Sequence, residues 1–231
     1  MRRTRGAMAT APVFAVAPAL ILMFAACLTP IPRPAAADPR LEERFDARTA
    51  REISQIVDSA RATGLPTEPL VSKALEGASK GARASRIVAV VRAHAAALGA
   101  ARSALGPGSG GDEIVAGAGA LMAGVARDTL ERLRAARPGQ SLVIPLVVLA
   151  DLVTRRVPVD AASSTVISAF RAGVRDRELL RLRERVEQDI LSGAPPATAV
   201  AVRGRALLLN SDPRSGRRPS SRRSGLDPGA P

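Results

Sequence analysis

The chain has little of the chemistry on which most catalytic and metal-binding sites depend. Its 231 residues include one cysteine, Cys27, and one histidine, His94, with neither tryptophan nor tyrosine. A lone histidine cannot build a multi-histidine metal site or a histidine-based catalytic pair without distant partners. His94 falls on the apolar face of a helix predicted over 87–98, so we expect a packed, half-buried side chain there.

Aromatic residues are almost absent as well. Four phenylalanines are the only ones, and just Phe45 and Phe170 lie beyond residue 37. The core must therefore be built from alanine, leucine, valine and isoleucine. Strands favour β-branched and aromatic residues, whereas an alanine-rich, aromatic-poor chain favours helices. Composition thus predicts an all-helical protein.

The first 37 residues have the pattern of a bacterial-type export signal. Three arginines open the chain, an uncharged apolar run follows, and the small-residue triplet Ala35-Ala36-Ala37 precedes Asp38. These parts correspond to the basic region, the apolar region and the cleavage site of a secretory signal. We therefore predict cleavage after Ala37, so that Asp38 becomes the first residue of the mature chain.

Two alternatives remain for this segment. The apolar run is long enough for a retained membrane anchor, because about 20 apolar residues span a bilayer, but Pro12 and Pro18 interrupt it. The second alternative is a lipoprotein signal ending at Cys27, although Phe24 stands where such signals usually carry leucine. Cleavage at the alanine triplet leaves no cysteine, which excludes disulfides, thiol catalysis and thiolate metal sites from the mature chain.

Regular breaks divide the rest of the chain into short predicted helices. The residues predicted to cap or open them include Asp38, Ser85, Asp128, Asp160 and Asp176, with a capping box at Thr49 and Glu52. Each break combines a helix C-terminus, a residue suited to a left-handed cap, a small apolar residue and the next helix start. The breaks fall at Gly64, Gly81, Gly124, Arg156, Gly173 and Gly193. Two such helices make a unit of about 34 residues, within the range of helical-hairpin repeats. The fold class is therefore all-α, as a multi-helix bundle or as a short, solenoid-like array of α-hairpins.

We predict one helical domain over 38–209, with a flexible Gly-rich loop at 106–111. This loop lacks the Gly-Lys-Ser/Thr ending of a phosphate loop, and no strand is predicted before it. Gly117 and Gly119 lie in an alanine- and glycine-rich helix, where small residues let a neighbouring helix approach closely. No cofactor or metal site is predicted.

Three acids in apolar surroundings are the best candidates for chemistry. Glu76, Asp151 and Asp189 each lie four or five residues before a helix end, where a negative charge opposes the helix dipole and needs a compensating partner. One interpretation is structural, with a backbone amide of the next helix or an arginine as the partner. The other is a carboxylate cluster that binds a cation or performs acid–base chemistry. Repetition across hairpins favours the structural interpretation.

The C-terminal segment 210–231 is predicted to be a disordered tail, since its Ser, Arg, Pro and Gly composition does not support a packed core. The formal net charge of the chain is +13, and five arginines against two aspartates give this segment +3 of it. The arginines that could hold anionic lipid headgroups or cell-wall polymer are Arg214, Arg217, Arg218, Arg222 and Arg223.

These observations favour an exported interaction or scaffold protein of the periplasm or cell envelope, without catalysis. The alternatives are an envelope-surface binder that uses the basic tail and, third, an enzyme that uses scattered carboxylates. The expected partner is a protein or an anionic envelope component. Nucleic acid is disfavoured because the tail has no aromatic residues to stack on bases. The apolar run 142–150 is too short to span a bilayer, so no transmembrane helix is expected in the mature chain.

Mass spectrometry of the protein isolated from its native envelope should find an N-terminus at Asp38, because the small side chains of Ala35 and Ala37 fit the signal peptidase. A diacylglycerol group on Cys27 would establish the lipoprotein alternative instead. An intact Met1 would contradict both.

Overall fold

The computed structural model describes residues 38–211, and every regular element within them is an α-helix. The ten helices of this part of the chain are α1 (Pro39–Arg44), α2 (Ala47–Ala62), α3 (Glu68–Ser79), α4 (Ala84–Leu105), α5 (Gly111–Met122), α6 (Arg127–Ala136), α7 (Val143–Thr154), α8 (Val159–Arg171), α9 (Asp176–Leu191) and α10 (Pro196–Ser211). The prediction of an all-helical chain is confirmed for these residues.

Several predicted features lie outside the described residues. They are the signal segment 1–37 with Cys27, Ala35 and Ala37, and the tail arginines Arg214, Arg217, Arg218, Arg222 and Arg223. Helix α10 continues through Ser211, so its end lies two residues beyond the predicted end at Leu209. The predicted loop corresponds to the non-helical residues 106–110, and α5 starts at Gly111.

The helices pack in a regular order within this unit. Among the even-numbered helices, α2 contacts α4, α4 contacts α6, α6 contacts α8, and α8 contacts α10. Among the odd-numbered helices, α5 contacts α7 and α7 contacts α9. Sequence neighbours such as α3 and α4, α4 and α5, and α9 and α10 also pack together. Each helix therefore buries its apolar stripe against helices one and two positions away in the chain.

Leucine supplies most of the large side chains of the common core. The largest fully buried ones include Leu70, Leu98, Leu130, Leu146 and Leu149. Burial of apolar side chains from water is the dominant favourable contribution to folding. Residues 38–211 contain no cysteine, and this leucine- and alanine-rich core is their main source of stability.

Six joints connect successive helices in the same way. At each one a residue with a φ angle between 64° and 101° follows the helix end, and the next residue donates its backbone N–H to the carbonyl five residues earlier at 2.9–3.1 Å. This pair of features is the Schellman motif. The left-handed residues are Gly64, Gly81, Gly124, Arg156, Gly173 and Gly193. The predicted breaks are thus confirmed, including the one that lacks glycine.

The joints also determine where the next helix begins. In α4, α6, α8 and α9 the N-cap lies two residues after the left-handed residue, and no side chain of the usual Asx or Ser/Thr capping type occupies it. These N-caps are Arg83, Ala126, Pro158 and Arg175. The polar residues predicted as caps lie in the first turn instead, and they are Ser85, Asp128, Asp160 and Asp176. A carboxylate there still benefits from the positive end of the helix dipole.

Side-chain capping operates at the first two helices. Asp38 caps α1 as predicted, accepting the backbone N–H of Arg40 at 3.0 Å. The capping box predicted at Thr49 is wrong, because α2 begins earlier, behind Asp46. The Oδ1 atom of Asp46 accepts the backbone N–H groups of Arg48 and Thr49, each at 3.0 Å. One aspartate thus satisfies two amides that a threonine further along could not reach.

The glycines of α5 differ in their surroundings. A Cβ atom built on Gly117 would lie 3.0 Å from Leu105 Cδ1, 3.1 Å from Ala101 Cβ and 3.3 Å from Leu130 Cδ2. Gly119 has nothing within 4 Å of the same position. The predicted close approach of a neighbouring helix is therefore confirmed at Gly117 and is wrong for Gly119.

Helix α4 is the one helix of residues 38–211 that could span a bilayer by length and composition, with 22 residues and a mean hydropathy of 1.2. It contacts α2, α3, α5 and α6, and its residues Ile87, Val91 and Leu98 are buried in the core. These contacts are those of a core helix in a folded unit.

Replacing Arg156 with glycine should stabilise the fold by up to about 1 kcal/mol. A side chain in the left-handed region costs about 1–2 kcal/mol, which the greater freedom of glycine in the unfolded chain partly offsets. Chemical denaturation followed by circular dichroism would measure the change.

The matched control is the reverse substitution, Gly173→Arg, at a joint where a Cβ atom meets nothing within 4 Å. It should destabilise the fold through backbone strain alone. Equal stability of both variants and the parent would show that these joints carry no such strain.

Candidate functional site

Glu76 is engaged by lysines of its own helix. Lys73 Nζ donates to Glu76 Oε2 at 2.7 Å, and Lys80 Nζ donates to Oε1 at 2.5 Å. These hydrogen bonds and the two positive charges lower the pKa of Glu76 to about 2. The carboxylate is exposed and links no other helix, so its compensation is local to α3.

Asp151 connects α7 to α9. Arg183 Nη1 donates to Asp151 Oδ2 at 3.0 Å, and one turn further along the same two helices Arg155 Nη1 lies 2.6 Å from Glu187 Oε1. The expectation of a buried acceptor at Asp151 is wrong, since 39% of its side chain remains exposed. The expectation of an arginine partner is correct.

Asp189 connects α9 to α10. Arg203 approaches it with two parallel hydrogen bonds, from Nε to Oδ2 and from Nη2 to Oδ1, both at 2.7 Å. Such bidentate pairs combine strength with a fixed geometry. The hydrogen bonds from Arg203 lower the pKa of Asp189 below its usual value.

The three predicted acids therefore have separate cationic partners. Within residues 38–211, no group of three or more His, Cys, Asp or Glu side chains is placed to hold a metal ion. Asp151 and Asp189 join neighbouring helices, whereas Glu76 does not. This arrangement matches the structural interpretation of these residues better than that of a carboxylate cluster.

The most deeply placed carboxylate in an ion pair is one that sequence reasoning missed. Glu113 of α5, with 12% of its side chain exposed, accepts the backbone N–H of Leu142 at 2.9 Å through Oε1. Its Oε2 accepts from Arg134 Nη2 at 2.5 Å, and Nη1 of Arg134 donates to the carbonyl of Gln140 at 3.1 Å. Glu113 thus caps the start of α7 from a neighbouring helix and fixes the α6–α7 connection.

His94 is half-buried on α4, as predicted. Its Nδ1 atom is buried without a hydrogen-bond partner among the described residues. Burial, together with the positive charge of Lys73, lowers the pKa of His94. Both effects disfavour the charged imidazolium form of the ring.

A cleft of about 380 Å³ lies between α9, α10 and the joint that precedes α9. Four arginines line it, namely Arg175, Arg181, Arg185 and Arg203. One carboxylate, Glu178, is also in the lining, and its Oε1 accepts from Arg175 Nη2 at 2.9 Å. Apolar side chains, including Leu182 and Leu207, complete the walls.

Two of these arginines have no carboxylate partner. Arg181 and Arg185 lie one turn apart on α9, both are exposed, and neither forms an ion pair with any residue of 38–211. The other two are held in place, Arg175 by Glu178 and Arg203 by Asp189. The cleft therefore combines two oriented guanidinium groups with two that are unpaired.

No protein-family model, curated protein sequence or solved structure matches the chain.

Glu113→Ala should destabilise the fold by about 1–3 kcal/mol, because it leaves a backbone amide and a partly buried arginine without their acceptor. Glu113→Gln should cost less, since it keeps one acceptor oxygen. Thermal and urea denaturation would measure both.

Asp151→Ala is the matched control, because it also removes a carboxylate that pairs with an arginine of another helix. Its pair is more exposed, and such pairs contribute about 0.2–1 kcal/mol. A larger loss for Asp151→Ala than for Glu113→Ala would contradict the ranking of the two sites.

Proposed function

We propose that the protein is an exported interaction or scaffold protein of the bacterial cell envelope, built as a short, solenoid-like array of α-hairpins. The observation that carries the proposal is the order of packing, in which α2, α4, α6, α8 and α10 contact one another in sequence. In such arrays each unit contacts its neighbours, and the extended surface is used for binding.

The identical joints support this interpretation. Each of the six joints connects successive helices with the same backbone hydrogen bond after a left-handed residue. A repeated local geometry that stacks successive helices is the basis of repeat architectures. The sequence pattern of residues 1–37 supports export.

The polar contacts favour a scaffold over an enzyme. Three carboxylates join different helices, Asp151 through Arg183, Glu113 through Arg134, and Asp189 through Arg203. Charged groups that form such pairs hold neighbouring helices in register. Because they are already hydrogen-bonded to a partner, they are less available as acids, bases or nucleophiles. The alternative of a tail-mediated surface binder rests on the composition of 210–231 and stays a second candidate.

Photo-crosslinking in the native host tests the proposal. A photoreactive amino acid is placed at exposed apolar positions on four helices, namely Val90, Met122, Leu191 and Val202. Further exposed positions on the other helices complete the scan. We expect adducts with one envelope partner at neighbouring positions, since a binding surface is contiguous.

The matched control is the same set of variants without residues 1–37, which should stay inside the cell and give no such adduct. Adducts of equal yield at every position, or none at any position, would contradict an interaction role. Adducts that disappear only when residues 212–231 are deleted would favour the tail as the binding element.

A further inference from the structure

We propose that the arginine-lined cleft between α9 and α10 is a binding site for a phosphoryl group. This inference goes beyond the scaffold function and does not depend on it. It rests on the convergence of Arg175, Arg181, Arg185 and Arg203 on one concave surface.

The cleft carries an excess of positive charge. Four arginines and one carboxylate, Glu178, line it, and Glu178 already accepts two hydrogen bonds from Arg175, one from the backbone and one from the side chain. Asp189, outside the lining, compensates Arg203, so the positive charges of Arg181 and Arg185 remain without a counter-charge. Clefts lined by one sign of charge concentrate counter-ions, because their low-dielectric walls focus the field. A bound anion would neutralise this concentration of charge.

The unpaired arginines strengthen the argument. Arg181 and Arg185 are four residues apart on α9, and like charges at this spacing repel each other. Arginines without a carboxylate partner also occur elsewhere on the helices, as at Arg83 and Arg86, but Arg181 and Arg185 share a cleft with two further arginines. Two neighbouring guanidinium groups that lack a carboxylate partner gain most from a ligand with several negative oxygens.

The remaining two arginines provide fixed geometry. Arg203 uses Nε and Nη2 for Asp189, which leaves Nη1 available, and Arg175 uses Nη2 for Glu178, which leaves Nη1 and Nε. Guanidinium groups bind phosphate through planar, paired N–H donors. Arginines already oriented by carboxylates lose less conformational freedom when they bind a ligand.

Two other clefts lack this imbalance. The larger one, of about 450 Å³ between α2 and α4, contains one arginine, Arg92, and one carboxylate, Glu52. A third contains Arg102, whose Nη1 already donates to the carbonyls of Thr63 and Gly64. The phosphoryl assignment is therefore specific to the cleft between α9 and α10.

Binding of pyrophosphate and of inorganic phosphate to the purified protein tests the site. The protein is produced with its own N-terminal segment so that it is processed as in its host. Titration calorimetry at constant ionic strength should detect saturable binding. The double substitution Arg181→Gln with Arg185→Gln should weaken it about tenfold or more, which corresponds to the loss of two charge-assisted contacts.

The matched control is Arg83→Gln with Arg86→Gln. These two exposed arginines lie at the start of α4, away from the cleft, and neither forms an ion pair with a residue of 38–211. This variant should bind like the parent. A third variant, Arg181→Lys with Arg185→Lys, keeps the charge but loses the planar donors, and it should show an intermediate loss. Circular dichroism confirms that each variant is folded.

A second experiment, with lipid vesicles, distinguishes a lipid headgroup from a soluble ligand as the source of the phosphoryl group. A lipid headgroup would be assigned if the protein sediments with phosphatidylglycerol vesicles, if this requires Arg181 and Arg185, and if pyrophosphate releases the protein from the vesicles. Pyrophosphate binding without cleft-dependent sedimentation would assign a soluble phosphorylated ligand. The absence of saturable binding to either probe, or an equal loss in the α4 control, would overturn the site.

Discussion

The left-handed residue at each chain reversal is the constraint on which the rest of the structure depends. It ends one helix, directs the next apolar residue inward and places the following N-cap. Because these three steps are coupled, the backbone geometry of each joint constrains how the next helix leaves it. An alanine- and leucine-rich core with few aromatic side chains then packs the helices together.

Most ion pairs of residues 38–211 lie along one helix, but a smaller set links different helices and acts on this framework. Glu113, Asp151 and Asp189 each pair with an arginine from a different helix. Partly buried pairs of this kind contribute modestly to stability, but they penalise a wrong helix register, because a shift would leave a charge unpaired. The same pairing leaves Arg181 and Arg185 as an excess of positive charge on α9, where the cleft lies.

Local features of the fold were predictable from the sequence, and long-range ones were not. The joints were predictable because left-handed geometry strongly favours glycine and leaves a short, recurring pattern. The helix starts were displaced because the joint, and not the nearest Ser or Asp, determines the N-cap. Glu113 was missed because its partners, Arg134 and Leu142, lie 21 and 29 residues away. The cleft was missed for the same reason, since α10 brings Arg203 beside α9.

The strained backbone at Arg156 makes the α7–α8 joint easier to open than the joints that have glycine. Proteins open locally in cooperative segments, and the segment boundaries follow the weakest connections. Arg156 is the one non-glycine residue of 38–211 with a positive φ angle, so the strain concentrates between α7 and α8. The α7–α8 joint is therefore the connection at which the backbone is expected to open most readily on a local scale. The contacts of α7 with α8 and α9, together with the pair of Asp151 and Arg183, hold the helices on either side of the joint together when it does.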